Sequence, residues 1–198
     1  MSEQGDDAVR AGRLRLLAVA AVFVVPVLVA VAWYFAAPRL APGGSAHGSL
    51  IEPARPLEPF EVPRANGDPF GLDDLRGRWT LVHVIGDACE AACRERVHYT
   101  RQIRAALGED RLRVQRVALA HDGAGTRGLA SILDAHPYLT VLESPAGGPL
   151  RRQLPEADAS TVLLIDPHGN LMMRFRGSVE PSDILDDLEH LLKLSRIG

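Results

Sequence analysis

Cys89 and Cys93 are the two cysteines of the chain, in the stretch Gly86-Asp87-Ala88-Cys89-Glu90-Ala91-Ala92-Cys93. Their spacing of i and i+4 puts both sulfurs on one face if the stretch is helical. Such a pair closes a disulfide with little movement, or clasps one soft cation between two thiolates. The stretch lies between a mostly apolar run and a longer amphipathic one, which predicts a strand-to-helix junction. A helix start points unpaired N–H groups and the positive end of its dipole at a sulfur placed there, favouring the thiolate that attacks disulfides and binds metal. Arg94 and Arg96 follow closely and add positive potential. Cys89 and Cys93 are therefore candidate catalytic and metal-binding residues, with Cys89 the more reactive because it lies nearer the helix start. The alternative is a structural bridge in an oxidising compartment. A bridge closing so short a loop constrains the unfolded chain little, so it would be a weak staple.

The elements that must position this pair follow from hydrophobic patterning. Trp79 to Ile85 predicts a buried strand, and Glu90 to Leu107 a helix with Ala92, Tyr99, Ile103, Ala106 and Leu107 on its apolar face. Leu112 to Ala120 predicts a second strand, Gly128 to Ala135 a helix, Tyr138 to Leu142 a short strand and Thr161 to Ile165 a third main strand. Asp166-Pro167-His168-Gly169-Asn170 predicts a hairpin turn, with Leu171 to Phe175 pairing back. Ile184, Leu185, Leu188, Leu191 and Leu192 line one face of a closing helix. A parallel βαβ unit followed by a β-hairpin and a helix predicts an α/β fold, a thioredoxin-like sandwich over residues 60–198. In such a unit both parallel strands end on one edge, so His121 should lie on the edge that carries the cysteines. It is the candidate third metal ligand or proton-transfer partner. His83 reads as core, His98 points away from the cysteine face, His168 sits in the hairpin turn, and His136 and His190 read as solvated.

The remainder of the chain predicts an anchor. Leu16 to Ala37 is a run of 22 residues without a charge. As a helix it would be about 33 Å long, enough to cross a bilayer core. Pro26 is tolerated in such a span, and Trp33 and Tyr34 suit its interfacial end. Arg10, Arg13 and Arg15 precede the run and Arg39 alone follows it closely, which keeps residues 1–15 in the cytoplasm and sends the domain to the periplasm or extracytoplasmic space. A cleaved signal peptide is the competing reading. Residues 38–59, rich in Pro, Gly, Ala and Ser, predict a tether without a core. The net charge of −3 and the absence of a basic stripe argue against nucleic acid as a partner.

From about Phe60 onward the chain resembles the Sco/SenC group of thioredoxin-fold proteins, which assist assembly of cytochrome c oxidase. The resemblance rests on the entry Gly71-Leu72-Asp73-Asp74-Leu75-Arg76-Gly77-Arg78-Trp79, on the Cys-x-x-x-Cys pair after the first core strand, and on Asp166-Pro167-His168-Gly169. Arg101 to Gly108 resembles a divergent branch associated with the same process. The resemblance implies Cu(I) as cargo, the copper-receiving subunit of a haem–copper oxidase as partner, and a role in copper handling or thiol–disulfide control of that subunit. Two positions depart from the pattern. Asp158 stands where the group has its metal-ligand His, and a carboxylate is a weak ligand for Cu(I). Ser160 stands where redox thioredoxins have a cis-Pro. A general exported thiol–disulfide oxidoreductase is the alternative function.

Overall fold

The computed structural model describes residues 19–32, 46–86, 88–145 and 147–197. The chain divides into two compact units, Met1–Ser45 and Ala46–Gly198. In the first, residues 19–32 form helix α1, whose apolar side chains are exposed. Among the described residues no helix is long and apolar enough to cross a membrane. Residues 16–18 and 33–37 of the anticipated span lie outside the described residues.

The second unit is built on a six-stranded sheet whose first edge strand is β1 (Ser49–Pro56), in the order β1-β8-β7-β4-β5-β6. β4 (Trp79–Ile85), β5 (Val114–Ala120) and β6 (Leu139–Glu143) run parallel. β7 (Val162–Ile165) is antiparallel to β4, and β8 (Asn170–Phe175) returns antiparallel to β7 through the Asp166–Asn170 turn. Gly169 at φ 89 occupies that turn, where the left-handed conformation excludes most side chains. A short pair, β2 (Glu61–Pro63) and β3 (Pro69–Gly71), forms a separate ribbon.

Side chains alternate across a strand, so each face of β4 and β5 has its own set. Trp79 and Leu81 pack with Ile103 and Leu107 at the end of α3 (Ala91–Ala106) and with Ile184, Leu188 and Leu192 of α5 (Pro181–Leu194). Further along the same face, Ile85, Ala118 and Ala120 pack with Cys89, Cys93, Val97 and Leu129 of α4 (Asp122–Leu133). Val82, Val84, Val117 and Leu119 point the other way, onto Val62, Phe70 and Leu75 of the ribbon and the short helix α2 (Leu72–Leu75).

Two expectations differ from this architecture. The tether assigned to residues 38–59 contains β1 (Ser49–Pro56), paired antiparallel with β8, and a buried Leu57. The globular unit thus starts near Ala46 rather than Phe60. The backbone N–H groups of His47 and Gly48 donate to the buried carboxylate of Asp187 on α5, both at 2.9 Å to Oδ2. The buried face of α3 also differs: it is Cys93, Arg96, Val97, Thr100 and Ile103. Its polar members hid it from a search for apolar periodicity, and Ala92 and Ala106 are exposed.

A candidate redox site at the junction of strand and helix

Cys89 and Cys93 are joined in a disulfide, with Cα atoms 5.1 Å apart. Helix α3 begins at Ala91 behind the N-cap Glu90. Only Cys93 is therefore helical, and Cys89 sits in the loop just ahead of the cap, where the unpaired N–H groups of the first turn face. This amends the expectation that both sulfurs ride one helical face. Both residues are buried, Cys89 at 3% and Cys93 at 1% exposure.

Helix α4 closes over the pair from one side. A Cβ on Gly128 would stand 2.8 Å from the Cys89 backbone nitrogen, and one on Gly125 would stand 2.7 Å from the Gly86 carbonyl oxygen. These two glycines, one turn apart, let α4 lie directly on the loop that holds Cys89.

Beneath α3 lies a buried polar cluster. The Thr100 hydroxyl donates to the Val97 carbonyl oxygen at 3.1 Å and receives the Nε–H of Arg116 at 3.1 Å. His83 Nε2 is 2.9 Å from the same hydroxyl. With the hydroxyl proton directed at Val97, His83 donates from Nε2. Arg116 also donates through Nη2 to Val97 O. Burial first, and the nearby Arg116 second, push His83 down to about 3, so the ring is neutral. Burial likewise pulls Arg116 down to about 10, still charged at neutral pH. Cys93, Val97 and Thr100 are successive buried positions on α3, so this cation sits under the helix that carries the disulfide. Arg96, expected to add positive potential, is buried and donates to Gly177 O at 2.8 Å and Val179 O at 3.1 Å.

His121 is half-buried at the N-cap of α4, and its backbone N–H donates to Ile85 O at 3.0 Å. That bond places it at the ends of β4 and β5, the edge where the disulfide lies. Asp158 is exposed and turned onto its own loop: its Oδ1 accepts from Ser160 N, Ser160 Oγ and Thr161 Oγ1 at 3.0, 2.7 and 2.8 Å. The Ser160 hydroxyl, then that of Thr161, holds its carboxyl below the usual range. Among the described residues no group of three or more His, Cys, Asp or Glu side chains is arranged to hold a metal ion. Reduced, the two cysteines alone would offer the soft two-thiolate donor set that suits Cu(I).

His136 differs from expectation. It is buried rather than solvated, and its Nδ1 has no hydrogen-bond partner. The strand sequence itself marks the polar cluster. In Val114-Gln115-Arg116-Val117-Ala118, alternation sets Arg116 on the same face as Val114 and Ala118, a cation on a core face.

Together, fold and site define a thioredoxin-fold domain that carries a disulfide where its first long strand enters its first long helix. Residues 79–195 match the family model described as "Transmembrane-like, thioredoxin-like, C-terminal domain", and the chain belongs to that family. Comparison with curated proteins finds no match. Among solved structures, the chain is similar to yeast Sco1 with copper bound, at 17% identity over 73% of this chain and 96% of that one, with TM-score 0.62. It is similar to a putative thioredoxin from Neisseria meningitidis, at 16% identity over 72% and 93%, with TM-score 0.58. It is also similar to BsSco, a member of the Sco family of cytochrome c oxidase assembly proteins in which a disulfide switch was identified, at 16% identity over 72% and 96%, with TM-score 0.53. The domain has a Sco-like thioredoxin fold.

Proposed function

We propose that this protein is a membrane-tethered assembly factor for a respiratory cytochrome c oxidase, acting through the Cys89–Cys93 couple on the subunit that receives copper. The disulfide at the β4–α3 junction of a Sco-like fold is the observation that carries this reading. In the reduced state, the Cys89 thiolate attacks one sulfur of the partner's disulfide and releases the other as a thiolate. Cys93 then attacks the mixed disulfide. Two electrons pass to the partner, which leaves as a dithiol, and this chain ends as the Cys89–Cys93 disulfide. An exported dithiol reductant restores it. Cu(I) is a second cargo of the reduced pair, with His121 the candidate third ligand. Asp158 supports the emphasis on thiol exchange, because its carboxylate already serves its own loop.

Replacing Cys89 and Cys93 by Ser in the native host tests this. Loss of oxidase assembly, with other exported disulfide proteins unaffected, is expected. Full assembly in the double variant would refute the reading. The likeness to the putative thioredoxin favours a second one, a general exported oxidoreductase. Broad redox defects across exported proteins would select it. Anaerobic Cu(I) titration of the reduced domain against Cys89→Ser separates the cargo: no affinity above the variant leaves electrons alone.

A further inference from the structure

A pocket of about 350 Å³ lies away from the disulfide, between the C-terminal half of α3, the turn that follows it, the start of β5 and the loop before β6. Arg101, Arg104, Arg111 and Arg116 line it, together with His136, and no carboxylate does. None of the four arginines has an ion pair with Asp or Glu among the described residues. Three are held in place by backbone carbonyls: Arg104 Nε donates to Val114 O at 2.7 Å, Arg111 Nη1 to Gly108 O at 2.6 Å, and Arg116 Nη2 to Val97 O. Arg104 also lies over the Tyr138 ring, 4.9 Å from its centroid. His136, 5% exposed, keeps its Nδ1 buried without a partner in the same wall. Tyr138 and Leu112, each 69% exposed, add an apolar edge. Four guanidiniums around one concavity repel one another, in a protein whose net charge is −3. An anion bridging them would relieve that repulsion and find planar donors matched to its oxygens.

We infer that this pocket binds a phosphate group, free or borne on a small molecule whose apolar part rests on Tyr138 and Leu112. The test is calorimetric titration of the full chain in detergent, at constant ionic strength, with inorganic phosphate, glycerol phosphate and phenyl phosphate. At least one should bind saturably. Binding should weaken at least about tenfold in Arg101→Gln/Arg111→Gln, which removes two exposed cations, and stay unchanged in Arg94→Gln, an exposed arginine outside the pocket. Tightest binding of phenyl phosphate marks a small aromatic ester as the source, of glycerol phosphate a lipid headgroup, and of inorganic phosphate the free ion. Absence of saturation for all three probes, or equal loss in Arg94→Gln, overturns the inference.

Discussion

At the scale of single residues, the buried histidines set the acid response. Burial, with Arg116 second, pushes His83 down to about 3 and His136 down to about 4. Unfolded, both titrate near 6.5, so in between the unfolded chain binds the extra protons. Stability therefore falls as pH drops below about 6.5, by at most about 1.4 kcal/mol per pH unit for each ring. His47 has the opposite sign. Its hydrogen bond to Asp187 raises it, so its contribution is complete below the unfolded value and fades as pH rises through the folded one. It adds nothing to the acid slope. Urea midpoints followed from neutral pH towards pH 4 should fall, and His136→Gln should make the fall shallower; an unchanged slope would mean that this ring titrates normally. Gly128 gives a second prediction. Gly to Ala inside a helix ordinarily gains about 1 kcal/mol. Here the added methyl meets the Cys89 backbone, so Gly128→Ala should instead destabilise by about 1–3 kcal/mol and speed reduction of the disulfide by dithiothreitol. A higher melting temperature with unchanged reduction kinetics would show that α4 does not press on that loop.

At the scale of elements, β1 is the instructive miss. Seven of its eight residues are exposed, and Pro53 and Pro56 interrupt it, so neither alternation nor an apolar run marks it. What places it lies elsewhere in the chain: the free edge of β8 and the Asp187 carboxylate, 140 residues from His47. A domain starting at Ala46 should melt higher than one starting at Phe60. In the longer form Asp187→Asn should lose about 1.5–3 kcal/mol in urea unfolding, since charge-assisted bonds to two backbone N–H groups weaken. Equal stability of the two lengths would reduce β1 to ornament. By contrast, β4 and the Asp166–Asn170 turn were legible because each is specified locally. Trp79–Ile85 is buried at all seven positions, and the turn carries its own Gly169. The start of α3 was legible to within one residue, Glu90 against Ala91, and that boundary leaves Cys89 in the loop ahead of the helix.

At the scale of the whole molecule, orientation is the prediction. The arginines before the apolar run and the single one closely after it argue for an exported C-terminus. A reporter active only outside the cytoplasm, fused after Gly198, should be active; activity of a cytoplasmic reporter alone would reverse the topology. The cysteine pair was legible because five consecutive residues contain it. The arginine pocket was not, because it gathers side chains from α3, from a turn, from β5 and from a loop that no local pattern links. The sheet carries one further consequence. Its outer strands are β1 and β6. The prolines of β1 withhold N–H groups from any newcomer, while the free edge of β6 is met by Ala65 N–H donating to Val141 O at 2.9 Å and by the bridge from Arg64 to Leu142. Among the described residues each rim is thus interrupted as a template for another chain. Such blunted rims disfavour strand addition from a second chain and the fibril growth that it would seed.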